Sequence, residues 1–250
     1  MEIVISGRFR GPPGSGNGGY VSGLLAGRLG GGAEVSLRRP IPLDTALALG
    51  QSDAGGLELR HGDELLATAR PGDPGPIDPP HVSAAEAEAA TTRAEAAAAN
   101  HLLPGCFGCG PARAPGDGLR ILTHPLGPGR GGVHAALWRP DAALGQGGGR
   151  LAPEFLWTAL DCAGGFAVMA GLAEPAPDDH VLLGRFRGRV ERRPRTTEPV
   201  IVAAWPGGIE GRKMTAYTAV MDLAGRPFAV AEALWIRVAL ARVTGGSPNP

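Results

Sequence analysis

Two short segments of the chain carry residues that together can attack a carbonyl group. Asn17-Gly18-Gly19 begins an apolar segment with helical spacing, and a helix that starts there leaves the N–H groups of its first residues without backbone partners. Such N–H groups, reinforced by the helix dipole, stabilise a carbonyl oxygen that develops negative charge. Ala152-Pro153-Glu154 begins a second apolar segment, which places Asp161 nine residues after Ala152. A buried carboxylate of this kind acts as a general base on water or as a nucleophile.

The rise of a helix indicates that these groups form one shared site. Nine residues of helix span about 13.5 Å, so a carboxylate at that position cannot reach a group at the start of its own helix. It reaches a group at the start of a second helix that lies antiparallel beside the first. The reverse pair, Ala26 with Pro153, offers a methyl group and a residue without an N–H, so only one working site is predicted. The alternative is structural: the Asn-Gly-Gly turn only starts a helix, and Asp161 is a hydrogen-bonded polar residue.

The elements around these segments predict a duplicated α+β chain. In each half, one apolar helix precedes several segments with strand patterns, and an antiparallel sheet with one solvent-facing side needs such a helix on its other side. EVSLRRPIPLDT after the first helix is matched by GRVERRPRTTEP after the second. We predict an N-terminal repeat over 1–80, a linker with a connecting helix over 81–105, a C-terminal repeat over 106–243 and a disordered tail over 244–250.

Composition excludes several classes of function. The 250 residues carry a formal net charge of zero, so no overall field favours nucleic acid or a membrane surface. Three cysteines cannot form a fully paired disulfide framework. The start, MEIVISGRFR, lacks the charged and apolar regions of a signal peptide, and no apolar run reaches the ~18 residues of a transmembrane helix. We therefore expect a soluble, reduced, cytoplasmic protein.

GSGNGGYVSGLLAG followed by EVSLRRPIP resembles the central helix and next strand of hotdog-fold acyl-CoA thioesterases. Phenylacetate-pathway members start this helix with His-Gly-Gly and carry a catalytic aspartate nine residues later; Asn17-Gly18-Gly19 matches the first part and Asp161 the second. The fused thioesterase II type also has an aspartate on its second helix, again matched by Asp161. Its active-site glutamine falls where Glu232 stands in AVAEALWIRV, and its threonine has no counterpart in VLLGRFRGRV.

The resemblance implies a double hotdog fold, in which two repeats each wrap an antiparallel sheet around a central helix. It also implies hydrolysis of acyl-CoA or a related acyl thioester. Gly18 and Gly19 would supply oxyanion donors, Asn17 would shape their loop, Asp161 would be base or nucleophile, and Glu232 is a weaker candidate. The main alternative is a non-catalytic acyl-CoA or acyl-thioester binding protein of the same fold. No cofactor is expected, and association into a homo-oligomer is left open.

Two groups of residues are candidates for binding the substrate. The residues predicted to line an acyl tunnel between the helices, or else to pack in the core, are Tyr20, Leu24, Trp157 and Phe166. Arg185, Arg187 and Arg189 alternate along a predicted strand, so their guanidinium groups share one face and can hold the phosphates of coenzyme A. A solvated sheet face that resists edge-to-edge pairing is the alternative.

Cys106-Phe-Gly-Cys109 has the spacing of half a zinc site. A structural zinc usually takes four ligands, and here one pair is accompanied by Cys162, far along the sequence. His101 and His124 do not complete a familiar zinc spacing. We therefore favour a turn-forming, partly buried loop without a metal, as in the CFxCG segments of some hotdog proteins.

Overall fold

The structure is a computed structural model that describes residues 1–52, 55–172, 176 and 178–244. One large antiparallel sheet and a few helices make up this part of the chain, so the α+β class predicted from the sequence is confirmed. Of the predicted tail over 244–250, residue 244 ends a short helix, and 245–250 lie outside the described residues.

The strands are short in the first half of the chain and long at its end. They are β1 (Glu2–Val4), β2 (Ala33–Leu37), β3 (Ala46–Gln51), β4 (Leu57–His61), β5 (Glu64–Pro71), β6 (His124–Pro125), β7 (His134–Trp138), β8 (Gly145–Gln146), β9 (Arg150–Leu151), β10 (Asp179–Val190), β11 (Val200–Glu210), β12 (Lys213–Met221) and β13 (Pro227–Ala239).

The helices are α1 (Gly18–Leu29), α2 (Ala84–Ala96), α3 (Pro153–Ala170) and α4 (Ala241–Thr244). The Asn17 side chain caps α1 by accepting a hydrogen bond from the N–H of Tyr20, and Gly30, at φ 75°, ends that helix in the left-handed region. Pro153 is the first residue of α3, where its missing N–H removes nothing from the helix. None of the helices in the described ranges has the length and apolar character needed to cross a membrane.

Eleven strands form one sheet in the order β1-β3-β4-β5-β2-β10-β13-β12-β11-β7-β6, and every neighbouring pair is antiparallel. The first and second halves of the chain meet where β2 pairs with β10. Helices α1 and α3 cover one face and form the main core with it. Helix α2 covers the other face at β7 and β11, where a second apolar cluster forms.

Helices α1 and α3 cross closely because two glycines of α1 face the backbone of α3. A Cβ on Gly19 would lie 2.6 Å from the Asp161 Cβ and 2.6 Å from the Trp157 carbonyl oxygen. A Cβ on Gly23, one turn later, would lie 2.6 Å from the Glu154 Cα. The partners on α3 run backwards as α1 runs forwards, so the two helices are antiparallel. This is the arrangement that the shared-site prediction requires.

The segment LRILTHPL, residues 119–126, is mostly irregular, and only His124 and Pro125 enter the sheet. Its backbone instead holds the cysteine loop, because the N–H groups of Leu119 and Ile121 donate to the carbonyls of Phe107 and Gly108. These bonds take the place of a strand ladder and fix the loop against residues 119–121.

Candidate active site

The structure brings Asp161 and Gly19 into direct contact. The Gly19 N–H donates a hydrogen bond to Asp161 Oδ2 across 2.8 Å, and Asp161 is only 4% exposed. Burial raises the pKa of this carboxyl to about 7, although the Gly19 N–H favours the ionised form and lowers the pKa. A buried carboxyl group from α3 therefore lies at the N-terminus of α1.

Gly18 and Asn17 complete the corner around this carboxylate. The Gly18 N–H has no hydrogen-bond partner among the residues that the structure describes, and Gly18 lines the adjoining cavity. Asn17 uses its side-chain oxygen to cap α1, while its amide group stabilises the ionised form of Asp161 and donates to the sulfur atoms of Cys106 and Cys162, at 3.7 and 3.9 Å. One backbone donor thus remains for a ligand, and the second is already bound to Asp161.

The reverse corner lacks the pair of groups that meets at the first corner. Ala26 is 2% exposed and apolar, and Pro153 brings no N–H to the start of α3.

A cavity of about 1010 Å³ adjoins Asp161 and Gly18. Most of its wall is apolar, with Phe166, Met169, Leu183 and Trp235 among its side chains. Thr123, His180 and Arg242 also lie on the wall and were not singled out in the sequence. No sequence signal could have found them, because they come from three separate segments. The volume is ample for an acyl chain and the linear part of its carrier.

Of the four residues predicted to line an acyl tunnel, only Phe166 lies on this cavity wall. Tyr20 stacks on Phe9 at a ring-centroid distance of 3.8 Å within an aromatic cluster of the core. Trp157 is 2% exposed and packs edge-on against Phe186, and Leu24 packs on the same core. These three residues face the helix contact and the sheet, which corrects the prediction in favour of their structural role.

Arg185, Arg187 and Arg189 share one face of β10, but that face is turned away from the helices. Phe186 and Gly188, which alternate with them, contact Trp157 of α3. Glu34, whose side chain is 7% exposed, lies 2.6 Å from Arg70 and forms a charge-assisted hydrogen bond with Arg187. Further carboxylates oppose the other arginines of the strand: Asp73 and Glu191 contact Arg189, and Glu34 lies 4.0 Å from Arg185. None of the three arginines lines the cavity.

Glu232 is also on the outer face of the sheet. It lies opposite Arg187 in the β10–β13 register, and its carboxylate is 3.8 Å from that guanidinium group. Its neighbours Ala231 and Ala233 are fully buried, because side chains of a strand alternate between the faces. The weaker catalytic assignment of Glu232 is therefore wrong: its side chain points away from Asp161.

The cysteines that the sequence separates meet beside Asp161. Cys106, Cys109 and Cys162 all line the cavity, and their sulfur atoms lie within 4.8 Å of one another. Among the described residues, these three cysteines form a cluster whose side chains are close enough together to bind one metal ion. The other thiols and the N–H groups of Cys109 and Gly108 hold the pKa of Cys106 well below its ordinary value.

Comparison with known proteins adds information on the fold alone. No protein-family model matches the chain, and no curated protein matches it in sequence. A provisionally named thioesterase from Novosphingobium aromaticivorans has a TM-score of 0.59 at 12% identity, over 94% of this chain and 94% of its own. A provisionally named thioesterase II from Thermobifida fusca YX has a TM-score of 0.56 at 13% identity, over 95% of this chain and 91% of its own.

A third structure carries the fold's name. It is a conserved protein of unknown function with a hot dog fold from Alicyclobacillus acidocaldarius, with a TM-score of 0.52 at 13% identity, over 95% of this chain and 92% of its own. The chain therefore has a hotdog fold, which the resemblance read from the sequence implied.

Proposed function

We propose that this chain hydrolyses acyl thioesters, with acyl-CoA as the substrate class, at one site shared by α1 and α3. The observation that carries the proposal is the hydrogen bond between Gly19 and the buried Asp161, beside the unpaired N–H of Gly18 at the wall of a large cavity. A carbonyl oxygen and an attacking water can meet there. A core carboxylate with a purely structural role would not need a cavity beside it.

The reaction follows from these positions. The thioester carbonyl oxygen accepts the Gly18 N–H, which together with the helix dipole stabilises the charge that develops on that oxygen. Water adds to the carbonyl carbon while Asp161 accepts its proton. The carbon–sulfur bond then breaks, and the departing thiolate takes that proton, so the products are a carboxylic acid and a free thiol. Direct attack by Asp161 through an anhydride is the second route.

We infer that the two halves, 1–80 and 106–243, are repeats of one hotdog unit joined by the segment 81–105. Strand order supports this inference. The first half has the order β1-β3-β4-β5-β2 and the second has β7-β11-β12-β13-β10, with one helix following the first strand of each series. Divergence of such a pair would leave one corner with Gly18 and Asp161 and the other with Ala26 and Pro153.

Coenzyme A as the carrier is supported by cations at the cavity. Arg38 and Arg242 line it, and neither guanidinium group has a carboxylate partner in the described part of the chain. The arginines of β10 are already paired with carboxylates. Unpaired arginines at the wall are better placed to bind phosphate groups.

One observation favours a binding protein without catalysis. The Gly19 N–H is occupied by Asp161, so a single N–H remains for the oxyanion. A hydrolase with one such donor needs the Asp161 contact to open when substrate binds, whereas a binding protein does not.

Release of free thiol from a panel of acyl-CoA substrates tests the proposal, with Asp161→Asn as the variant. The carboxamide can still accept the Gly19 N–H but cannot take a proton from water, so turnover should fall by a factor of ~100 to 10,000. Asp78→Asn, at an exposed carboxylate between β5 and α2, is the matched control and should retain full turnover. Equal turnover in wild type and Asp161→Asn rejects the catalytic role. Tight binding of acyl-CoA with no turnover by wild type selects the binding protein.

A further inference from the structure

Three thiols from two separate segments of the chain meet beside Asp161. Cys106 and Cys109 stand in a tight loop at the start of the second half, and Cys162 is on α3. The Cys106 and Cys162 sulfur atoms are 3.8 Å apart. All three are free thiols, and 3.8 Å is far beyond a disulfide bond of about 2.05 Å.

The spacing matches thiolates that share one metal ion. Two thiolates at about 2.3 Å from a tetrahedral zinc ion lie about 3.8 Å from each other. The Cys106–Cys162 pair already has this separation, and Cys109 lies within 4.8 Å of both. A shift of about 1 Å in one side chain would complete a tetrahedral face.

The loop is built to present its sulfur atoms in one direction. The Gly110 N–H donates to the Cys106 carbonyl at 2.8 Å and closes the turn. A Cβ on Gly110 would lie 2.4 Å from that carbonyl oxygen, so the turn requires glycine. Asn17 adds side-chain N–H groups toward two of the sulfurs. Donors of this kind orient and stabilise metal-bound thiolates.

We propose that Cys106, Cys109 and Cys162 bind one zinc ion, with the fourth coordination position open to the cavity. Three protein ligands and one open position are typical of zinc sites that bind water or substrate, whereas structural sites are closed by four protein ligands. The cavity-side position takes water or a thiol. Binding releases the protons of the thiols that ionise, so zinc affinity rises with pH. The site stands independently of the proposed hydrolase activity, because a binding protein could carry it equally well.

Metal analysis of the full chain, purified under reducing conditions, tests this site. We expect about one zinc ion per chain by mass spectrometry after zinc is added and excess is removed. Cobalt substitution should give the thiolate-to-metal charge-transfer absorption and the strong visible bands of a tetrahedral site. Cys109→Ser and Cys162→Ser should each weaken zinc affinity at least tenfold, as expected for loss of a ligand. His124→Gln, at another ligand-type residue on the cavity wall, is the control and should bind zinc like wild type.

A second measurement covers the case in which a cysteine variant fails to fold. Wild-type protein treated with chelator should gain thermal stability on addition of zinc and lose it again on addition of chelator. Thiol titration of the denatured chain should find all three cysteines reduced. Only traces of zinc in reduced, reconstituted wild type would overturn the proposal. So would zinc binding that survives both cysteine substitutions, or a disulfide that leaves one titratable thiol.

Discussion

Adding a single methyl group at Gly19 tests the helix contact and the candidate site together. The new Cβ of Gly19→Ala would lie 2.6 Å from the Asp161 Cβ, 2.6 Å from the Trp157 carbonyl oxygen and 2.9 Å from the Thr158 Cα. Ordinary contacts between such atoms are about 3.5 Å or longer, and these neighbours are backbone or close to it. They cannot rotate away, so α1 must move about 1 Å from α3.

The displacement has two costs. Overpacking of this kind destabilises a core by about 1–3 kcal/mol. The Gly19 N–H to Asp161 contact, now 2.8 Å, would lengthen past the limit for a useful hydrogen bond. Loss of a hydrogen bond to a charged group adds about 1.5–3 kcal/mol. We expect the free energy of unfolding to fall by about 3–5 kcal/mol, and turnover by roughly a hundredfold because the catalytic groups are misplaced.

Two further glycines of α1 are matched comparisons. A Cβ on Gly23 would lie 2.6 Å from the Glu154 Cα but touches no polar group of the site, so Gly23→Ala should cost only the overpacking, about 1–3 kcal/mol. Gly27 is exposed, and a Cβ there meets nothing within 4 Å. Gly27→Ala should therefore stabilise the protein by about 0.5–1 kcal/mol through helix propensity.

Urea unfolding of the three variants, with thiol-release kinetics on the same preparations, gives both quantities. Refutation would come from Gly19→Ala if it unfolds no more easily than Gly27→Ala, because the helices would then not cross as closely as described. Gly19→Ala could instead be destabilised and still turn over substrate at the wild-type rate. That result would agree with the close helix packing but reject the role of this corner in catalysis.

Three more predictions concern charge. The hydrogen bonds from Arg187 and Arg70 outweigh the effect of burial and lower the pKa of Glu34, so its carboxylate stabilises the fold above pH 4.5; urea unfolding should show the advantage of wild type over Glu34→Gln shrinking as the pH falls below 4.5. Burial lowers the pKa of His134 to about 4, so between pH 6.5 and 4 the unfolded chain takes up a proton at this residue and the folded chain does not. The free energy of unfolding of wild type should therefore fall by about 3 kcal/mol over this range in urea unfolding, whereas that of His134→Leu should not show this fall. Arg38→Gln should raise KM for acyl-CoA roughly fivefold, as expected for one exposed ion pair, but leave KM for a phosphate-free acyl-pantetheine unchanged; an equal rise with both substrates would place phosphate binding elsewhere.

The sequence predicted the α+β class from local patterns, and it predicted the contact between the start of α1 and Asp161 from helix rise and the family resemblance. Helix rise and the missing N–H of Pro153 are local facts that no tertiary detail can change. The start of α1 was equally readable, because Asn17 precedes the helix in the structure as in the sequence.

Side-chain direction was less readable. Tyr20 and Trp157 are of the residue types expected in an apolar tunnel wall. Because α1 and α3 cross closely at the glycines of α1, their side chains point into the core instead. Glu232 was assigned a catalytic role from its position in the segment AVAEALWIRV. A shift of one residue along a strand moves a side chain to the opposite face of the sheet, so such an assignment is sensitive to register. Cys162 was judged too far from Cys106 in sequence, yet the antiparallel docking of α3 brings the two sulfurs to 3.8 Å. Long-range pairing of this kind depends on the fold and is not encoded in spacing.

The ends of the large sheet limit how this molecule can assemble further. Its outermost strands, β1 and β6, have three and two residues, and β6 ends in Pro125, which has no N–H to donate. Edges this short offer a neighbouring molecule little backbone to pair with. Growth of the sheet into a continuous ribbon of many chains is therefore disfavoured, and an oligomer would form through side-chain contacts and not through strand pairing.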